Sequence, residues 1–172
     1  MRGIAPTLAA SVLIAGLSTL GDFIWATWIP QHVAVYGLMH GTLLFCAVGA
    51  VLGMLAGRPA AGAMAGAAIG AAAAGSFYLA APFTGYSTMF VVWIGVWVAL
   101  AFLHAELRRG HTAIRQVLGR GAIAAAGSGV AFYAISGIWR PFDPQGWDYL
   151  VHVAAWTLAY LPGFAALLLR TR

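Results

Sequence analysis

The chain is 172 residues long, carries a formal charge of +5 and has a mean hydropathy of +0.88. Apolar residues make up 62% of it and charged residues only 8%, whereas a soluble domain carries roughly 25% charged residues. Such a chain cannot cover itself with polar surface, which excludes an ordinary soluble domain and favours lipid as the solvent. The basic residues lie in short loops and near the ends of the chain, a pattern typical of an orientation signal rather than of nucleic-acid binding.

Six apolar stretches are long enough to cross a membrane, since a spanning helix needs about 20 mostly apolar residues. They cover about 6–28, 33–56, 60–82, 86–106, 117–138 and 148–169. The first is too long for the apolar part of a signal peptide, so we expect it to remain as a helix. Pro59 opens the third helix, Pro82 is expected to close it, and Pro162 lies inside the sixth, where a kink is expected.

The connections between the predicted helices are short, so consecutive helices must be antiparallel neighbours within one transmembrane domain, residues 1–172. All nine basic residues are arginines. Eight of them share one side of the six-span layout and Arg140 lies on the other: the eight are Arg2, Arg58, Arg108, Arg109, Arg115, Arg120, Arg170 and Arg172. The positive-inside rule makes the arginine-rich side cytoplasmic. We therefore predict an all-α integral membrane protein, a compact bundle of six transmembrane helices with both termini in the cytoplasm. The composition reads as bacterial, which places it in an inner membrane.

Small residues recur at every fourth position in the second and third predicted helices. These stripes are Gly49, Gly53 and Gly57 in the second helix and Gly62, Gly66 and Gly70 in the third. The spacing lets two backbones approach closely, so we expect these two helices to form the tight core of the bundle. In the fourth helix Trp93 and Trp97 share a face, where they either pack against lipid and core or line a pocket.

Three ionisable residues lie inside the predicted spans, at similar depths from the side opposite the termini. At 1.5 Å per residue, Asp22 is roughly 9 Å deep, His40 roughly 12 Å and His152 roughly 6 Å. Ionisable groups inside a membrane are costly and usually functional. If the first, second and sixth helices adjoin, these side chains meet in the outer leaflet.

A pocket for a lipid is the first interpretation of this group. The polar head would contact Asp22, His40 and His152, and the acyl part would be flanked by Trp25, Trp93 and Trp156. The alternative is a small membrane enzyme or transporter that uses the same carboxylate and imidazoles with a divalent metal or a proton. A third reading is a hydrogen-bonded cluster in a purely structural subunit. No pair has tight metal-ligand spacing within one helix, so we assign no catalytic residue, metal or cofactor.

A second polar group surrounds the loop at 107–116, on the predicted cytoplasmic side. Its members are His104, Glu106, Arg108, Arg109, His111 and Arg115. The plain reading is a solvated basic loop. The alternative is a docking patch for anionic headgroups or a protein partner, formed by Glu106, Arg108, Arg109 and Arg115. Ser128 lies in the middle of the fifth helix with no histidine clearly level with it, which argues against a serine hydrolase.

Several short strings resemble the Insig family of six-span membrane proteins. They are His40-Gly41-Thr42 with Val48-Gly49, Glu106 to Gly110, Tyr133 with Gly137 and Trp139, and Asp148-Tyr149-Leu150 with Trp156 and Pro162. Glu106 stands where the family has Asp, and the resemblance assigns no counterpart to Asp22, His40 or His152. It implies a non-catalytic bundle that binds a sterol or glycerolipid inside and contacts other membrane proteins or copies of itself. Because the composition reads as bacterial, a diacyl lipid is the expected ligand.

Overall fold

The structure, a computed structural model, describes residues 3–28, 33–109, 112–135 and 146–169. Within those residues the chain forms six α-helices and a 3₁₀ turn at Gly85–Ser87. The helices are α1 (Ile4–Trp28), α2 (Val33–Leu55), α3 (Pro59–Thr84), α4 (Thr88–Leu107), α5 (Ile114–Ile135) and α6 (Asp148–Leu168). All six of these described helices are long and apolar enough to cross a membrane. The prediction of an all-α bundle with six helices able to span a membrane is confirmed for the described residues.

The helices begin and end within three residues of the predicted bounds, as far as the structure describes them, but Pro82 and Gly57 do not have the expected roles. Pro82 lies inside α3, which continues to Thr84, so the expectation that Pro82 closes the helix was wrong. A proline at that position removes one backbone donor without preventing another half turn. Gly57 does not continue the glycine stripe of α2. It ends the helix at φ 73°, in the left-handed region that favours glycine, and the amide of Arg58 donates to the carbonyl of Gly53.

The described helices form a closed ring in chain order. Each packs against the next, and α1 returns to pack along α6. The contact between α1 and α2 is much less extensive than that between α1 and α6, and α4 reaches across the ring to α2 and α6. The expectation that consecutive helices are neighbours is confirmed. The adjacency that the ionisable residues require is also present, since α1 touches both α2 and α6.

Glycines let α2 and α3 approach backbone to backbone. A Cβ added at Gly49 would overlap the carbonyl of Gly62, and one added at Gly66 would overlap the carbonyl of Phe45. The expected close contact is confirmed. The prediction that both helices belong to the core is right for α2, which contributes the buried residues Leu44, Phe45, Val48, Val51 and Leu52, and wrong for α3. Along α3 the buried residues are Gly62, Gly66 and Gly70. Alanine and glycine allow close approach but offer little apolar area to bury, so α3 lies at the margin.

The core lies among α1, α2, α4, α5 and α6, and its part between α4, α5 and α6 is rich in aromatic rings. Trp97 and Tyr160 are each 1% exposed. The ring of Trp97 meets that of Phe164 edge-on at 5.8 Å, and a Cβ added at Gly163 would overlap its indole. Trp93 stacks on Phe132 at 5.1 Å. Both tryptophans of α4 therefore pack inside the protein.

Candidate functional site

A carboxylate from α1 is held by a tryptophan from α6. Asp22 accepts a hydrogen bond of 2.7 Å from the indole Nε1 of Trp156. Trp156 is 9% exposed and Asp22 is half-buried. Hydrogen bonds to a charged acceptor are short and strong compared with neutral ones. The carboxylate is therefore oriented by the partner helix rather than free to turn toward the membrane surface.

A second polar pair lies one helical turn away on the same two helices. The hydroxyl groups of Ser18 and Tyr160 are 3.1 Å apart and both side chains are buried. The rings of Trp156 and Tyr160 stack at 5.5 Å. Ser18 lies four residues before Asp22, and Tyr160 four after Trp156, so each pair shares a helix face. Sequence reasoning missed Ser18 and Tyr160, although this matched spacing on two helices was the available signal.

The imidazole of His40 reaches the same level from α2. It stacks on Tyr36 with ring centroids 5.7 Å apart and planes 14° apart. The hydroxyl of Tyr36 donates to the backbone carbonyl of Gly21. A Cβ added at Gly21 would overlap the imidazole of His40. His40 therefore lies directly against the backbone of α1, one residue from Asp22.

His152 is brought near this group less closely. It is 7% exposed on α6, one turn before Trp156, and its Nε2 has no hydrogen-bond partner among the described residues. No hydrogen bond or ring contact within the described ranges joins His152 to Asp22 or His40. The side chain of Trp25 lies outside the described part of the chain. Of the six predicted ligand residues, the structure thus joins Asp22 and Trp156, and it places His40 against Gly21, the residue before Asp22.

Within residues 3–28, 33–109, 112–135 and 146–169, no three His, Cys, Asp or Glu side chains converge as a metal site requires. Zinc sites in proteins use three or four such ligands around the ion. The described geometry therefore offers no support for the metal-based alternative.

Ser128 ties three helices together in the core. Its hydroxyl donates to the carbonyl of Ala159 on α6 and accepts from Nε1 of Trp93 on α4 at 3.2 Å. Ser128 is fully buried. A serine nucleophile is activated by a base that takes its proton, whereas this proton is directed at a backbone carbonyl. Ser128 therefore has a structural role, joining α4, α5 and α6 by hydrogen bonds.

Replacing Ser128 by alanine is expected to destabilise the bundle by about 1–2 kcal/mol, because Trp93 Nε1 then loses its acceptor in the core. The matched control is Ser11→Ala. Ser11 is equally buried, but its hydroxyl bonds to Thr7 within its own helix. Thermal unfolding in mild detergent measures both variants, and equal losses for the two would contradict the role assigned to Ser128.

A polar cleft lies at the opposite end of the bundle from Asp22. Its volume is about 320 Å³ and it opens between the end of α4, the start of α5 and the end of α6. The polar side chains that line it are His104, Arg108, Thr112, Gln116 and Arg120. Of the four residues predicted as a docking patch, Arg108 lines this cleft. Glu106, Arg109 and Arg115 are exposed outside it.

Comparisons with protein-family models, with curated proteins and with solved structures found no match. Function must therefore follow from the side chains themselves. Two places in the described bundle concentrate polar groups inside an otherwise apolar protein: the Asp22 group between α1, α2 and α6, and the His104 cleft at the other end.

Proposed function

We propose that this protein is a non-catalytic integral membrane protein that binds a diacyl lipid with an amine-bearing headgroup beside α1 and α2. The observation that carries this proposal is the half-buried carboxylate of Asp22, which Trp156 orients, with His40 packed against the preceding residue, Gly21. An ionisable residue inside a membrane is expensive and marks a site of function by default. Here it is bound to α6, and Gly21, the residue before it, lies at the contact between α1 and α2, the least extensive of the helix ring among the described residues.

Charge determines the headgroup class. Every arginine within the described residues lies at the other end of the bundle, in the α2–α3 turn or near the α4–α5 connection. An ammonium group at Asp22 would supply the opposite charge that a buried carboxylate needs. These features favour an amine-bearing headgroup such as that of phosphatidylethanolamine over an anionic one.

An exposed apolar stripe on α2 offers a place for the acyl chains. Val35, Met39 and Leu43 are 63%, 56% and 65% exposed and follow one another at four-residue spacing. Val35 and Met39 directly precede Tyr36 and His40, the two side chains of α2 that meet α1. Leu43 lies one turn further along the helix. Trp93, predicted beside the acyl part, packs instead against Phe132 in the core. The acyl contacts are therefore assigned to the α2 stripe.

The proposed orientation places both termini and the His104 cleft in the cytoplasm, within a bacterial inner membrane. It rests on the positive-inside rule and the arginine distribution of the chain. The Asp22 group then faces the outer leaflet. The Insig resemblance stays a prediction; it implies the same class of activity, lipid binding without catalysis, and contact with membrane partners or further copies of the chain.

The test compares lipids retained by the protein purified in mild detergent, measured by native mass spectrometry after exchange from vesicles of phosphatidylethanolamine and phosphatidylglycerol. Asp22→Asn is expected to lower the retained phosphatidylethanolamine about tenfold, since a hydrogen-bonded charge pair is worth about 1.5–3 kcal/mol. His40→Ala is expected to lower it as well, because the imidazole packs against Gly21, next in sequence to Asp22.

Asp148→Asn is the matched control, because it removes the same charge at the same end of the bundle. It is expected to leave lipid retention unchanged. Arg140 belongs to this end by sequence and lies outside the described residues, so Arg140→Gln tests whether it neutralises Asp22 in place of a ligand. Wild-type lipid content in both Asp22→Asn and His40→Ala would remove the lipid site.

A further inference from the structure

We infer that the cleft between α4, α5 and α6 at the end opposite Asp22 is a binding site for a phosphate group. The proposal goes beyond the lipid site described above and shares no residue with it. The cleft of about 320 Å³ is large enough for a phosphate and part of the molecule that carries it. It opens where α4 ends at Leu107 and α6 nears its end at Leu168.

His104 shows that the cleft is built for a polar occupant. The side chain is 6% exposed, lines the cleft, and neither ring nitrogen has a hydrogen-bond partner among the described residues. A buried polar group without a partner is costly, so native proteins pair such groups with protein, water or a ligand. An imidazole N–H is a hydrogen-bond donor, and an anion bound in the cleft would give it the partner it lacks.

Two arginines give the cleft its charge. Arg108 and Arg120 both line it and both act electrostatically on His104. Nη1 of Arg120 donates to the carbonyl of Leu167 at 3.3 Å. That bond fixes the guanidinium at the cleft wall while most of its five N–H groups stay available, since a guanidinium has more donors than one carbonyl can use.

The lining chemistry selects an oxyanion. No carboxylate is among the described residues that line the cleft, so nothing there neutralises the arginines. Thr112, just before α5, and Gln116, in its first turn, add further hydrogen-bonding groups. Arginine forks match phosphate oxygens in pairs, and the imidazole and side-chain amide can satisfy the remaining oxygens.

The phosphate could come from a lipid headgroup in the adjacent leaflet or from a soluble molecule. Both present the same oxygens to the same donors. Inorganic phosphate probes the soluble source and phosphatidate in nanodiscs probes the lipid source, each with the full chain. ³¹P NMR of the phosphate resonance at constant ionic strength, with chloride as the comparison anion, measures the first. Native mass spectrometry of phosphatidate retained from the nanodisc measures the second.

Saturable binding of one or both probes is expected in the wild type. Arg108→Gln is expected to weaken it about tenfold, because the variant removes one charge-assisted hydrogen bond. Arg108 is exposed at the cleft mouth, so this change leaves packing intact. Arg120→Lys, which keeps the charge and loses the fork, is expected to weaken binding as well. Arg58→Gln removes a charge at the same end, away from the cleft, and is expected to bind as the wild type does.

Binding of inorganic phosphate alone would assign a soluble ligand, and binding of phosphatidate alone would assign a headgroup. Wild-type protein that binds neither probe better than chloride or a neutral lipid would overturn the site. Equal weakening by Arg58→Gln and Arg108→Gln would overturn it too, because that result means general attraction to a basic surface. Loss of phosphate binding with phosphatidylethanolamine retention unchanged would separate this site from the one at Asp22.

Discussion

Gly66→Ala is expected to lower the free energy of unfolding by about 2 kcal/mol, although alanine is the better helix former. The added methyl would overlap the carbonyl of Phe45 and lie 2.9 Å from the Cα of Gly49. Both obstacles are backbone atoms, which cannot turn aside as a side chain can. The helices α2 and α3 must then separate along their whole contact.

Gly75→Ala is the matched control on the same helix, because a Cβ at Gly75 meets no atom within 4 Å. It is expected to leave the stability unchanged or raise it by up to about 1 kcal/mol, the difference in helix propensity. Thermal or detergent-induced unfolding followed by circular dichroism gives both values. Destabilisation of the same size in the two variants would show that glycine is needed for reasons other than the α2–α3 contact.

The architecture could be predicted because lipid imposes simple constraints on the chain. Apolar stretches of the right length must be helices, and short loops force consecutive helices to be neighbours. The glycine stripes likewise predicted the α2–α3 contact, since small residues at four-residue spacing have one clear use. The sequence did not reveal that α1 closes on α6. Leucine, valine and alanine occur on every face of these helices, so they carry no signal of which face meets which.

The candidate site could be predicted by depth but not by direction. The rise per residue placed Asp22 and His40 at one level, and the structure brings His40 against the residue next to Asp22. The rise per residue could not tell which face of α6 meets α1. The indole that reaches Asp22 belongs to Trp156, one turn deeper than His152. At the other end, Arg120 was interpreted as an orientation signal, because only folding shows that it shares a cleft with His104.

The contact between Asp22 and Trp156 is expected to couple α1 to α6 strongly. Trp156→Phe keeps an aromatic ring beside Tyr160 and removes the Nε1 donor, which leaves a buried carboxylate with one hydrogen bond fewer. The expected loss is about 2–3 kcal/mol, because hydrogen bonds to charged groups are worth more than neutral ones. Asp22→Leu alone is expected to cost less, since it removes the charge together with its need for a donor.

The double variant separates a structural tie from a binding group. If Asp22 serves only to join the helices, the double variant Asp22→Leu with Trp156→Phe should be about as stable as Asp22→Leu alone. The coupling energy between Asp22 and Trp156 from the double-mutant cycle should then explain the whole stabilising effect of Asp22. If Asp22 binds an ammonium headgroup, the wild type should gain further stability when phosphatidylethanolamine is added, and every variant without the carboxylate should not. The same lipid titration applied to Trp156→Phe decides whether the indole acts by orienting the carboxylate. If added phosphatidylethanolamine stabilises Trp156→Phe but not Asp22→Leu, the carboxylate binds the lipid and the indole serves to join α1 to α6.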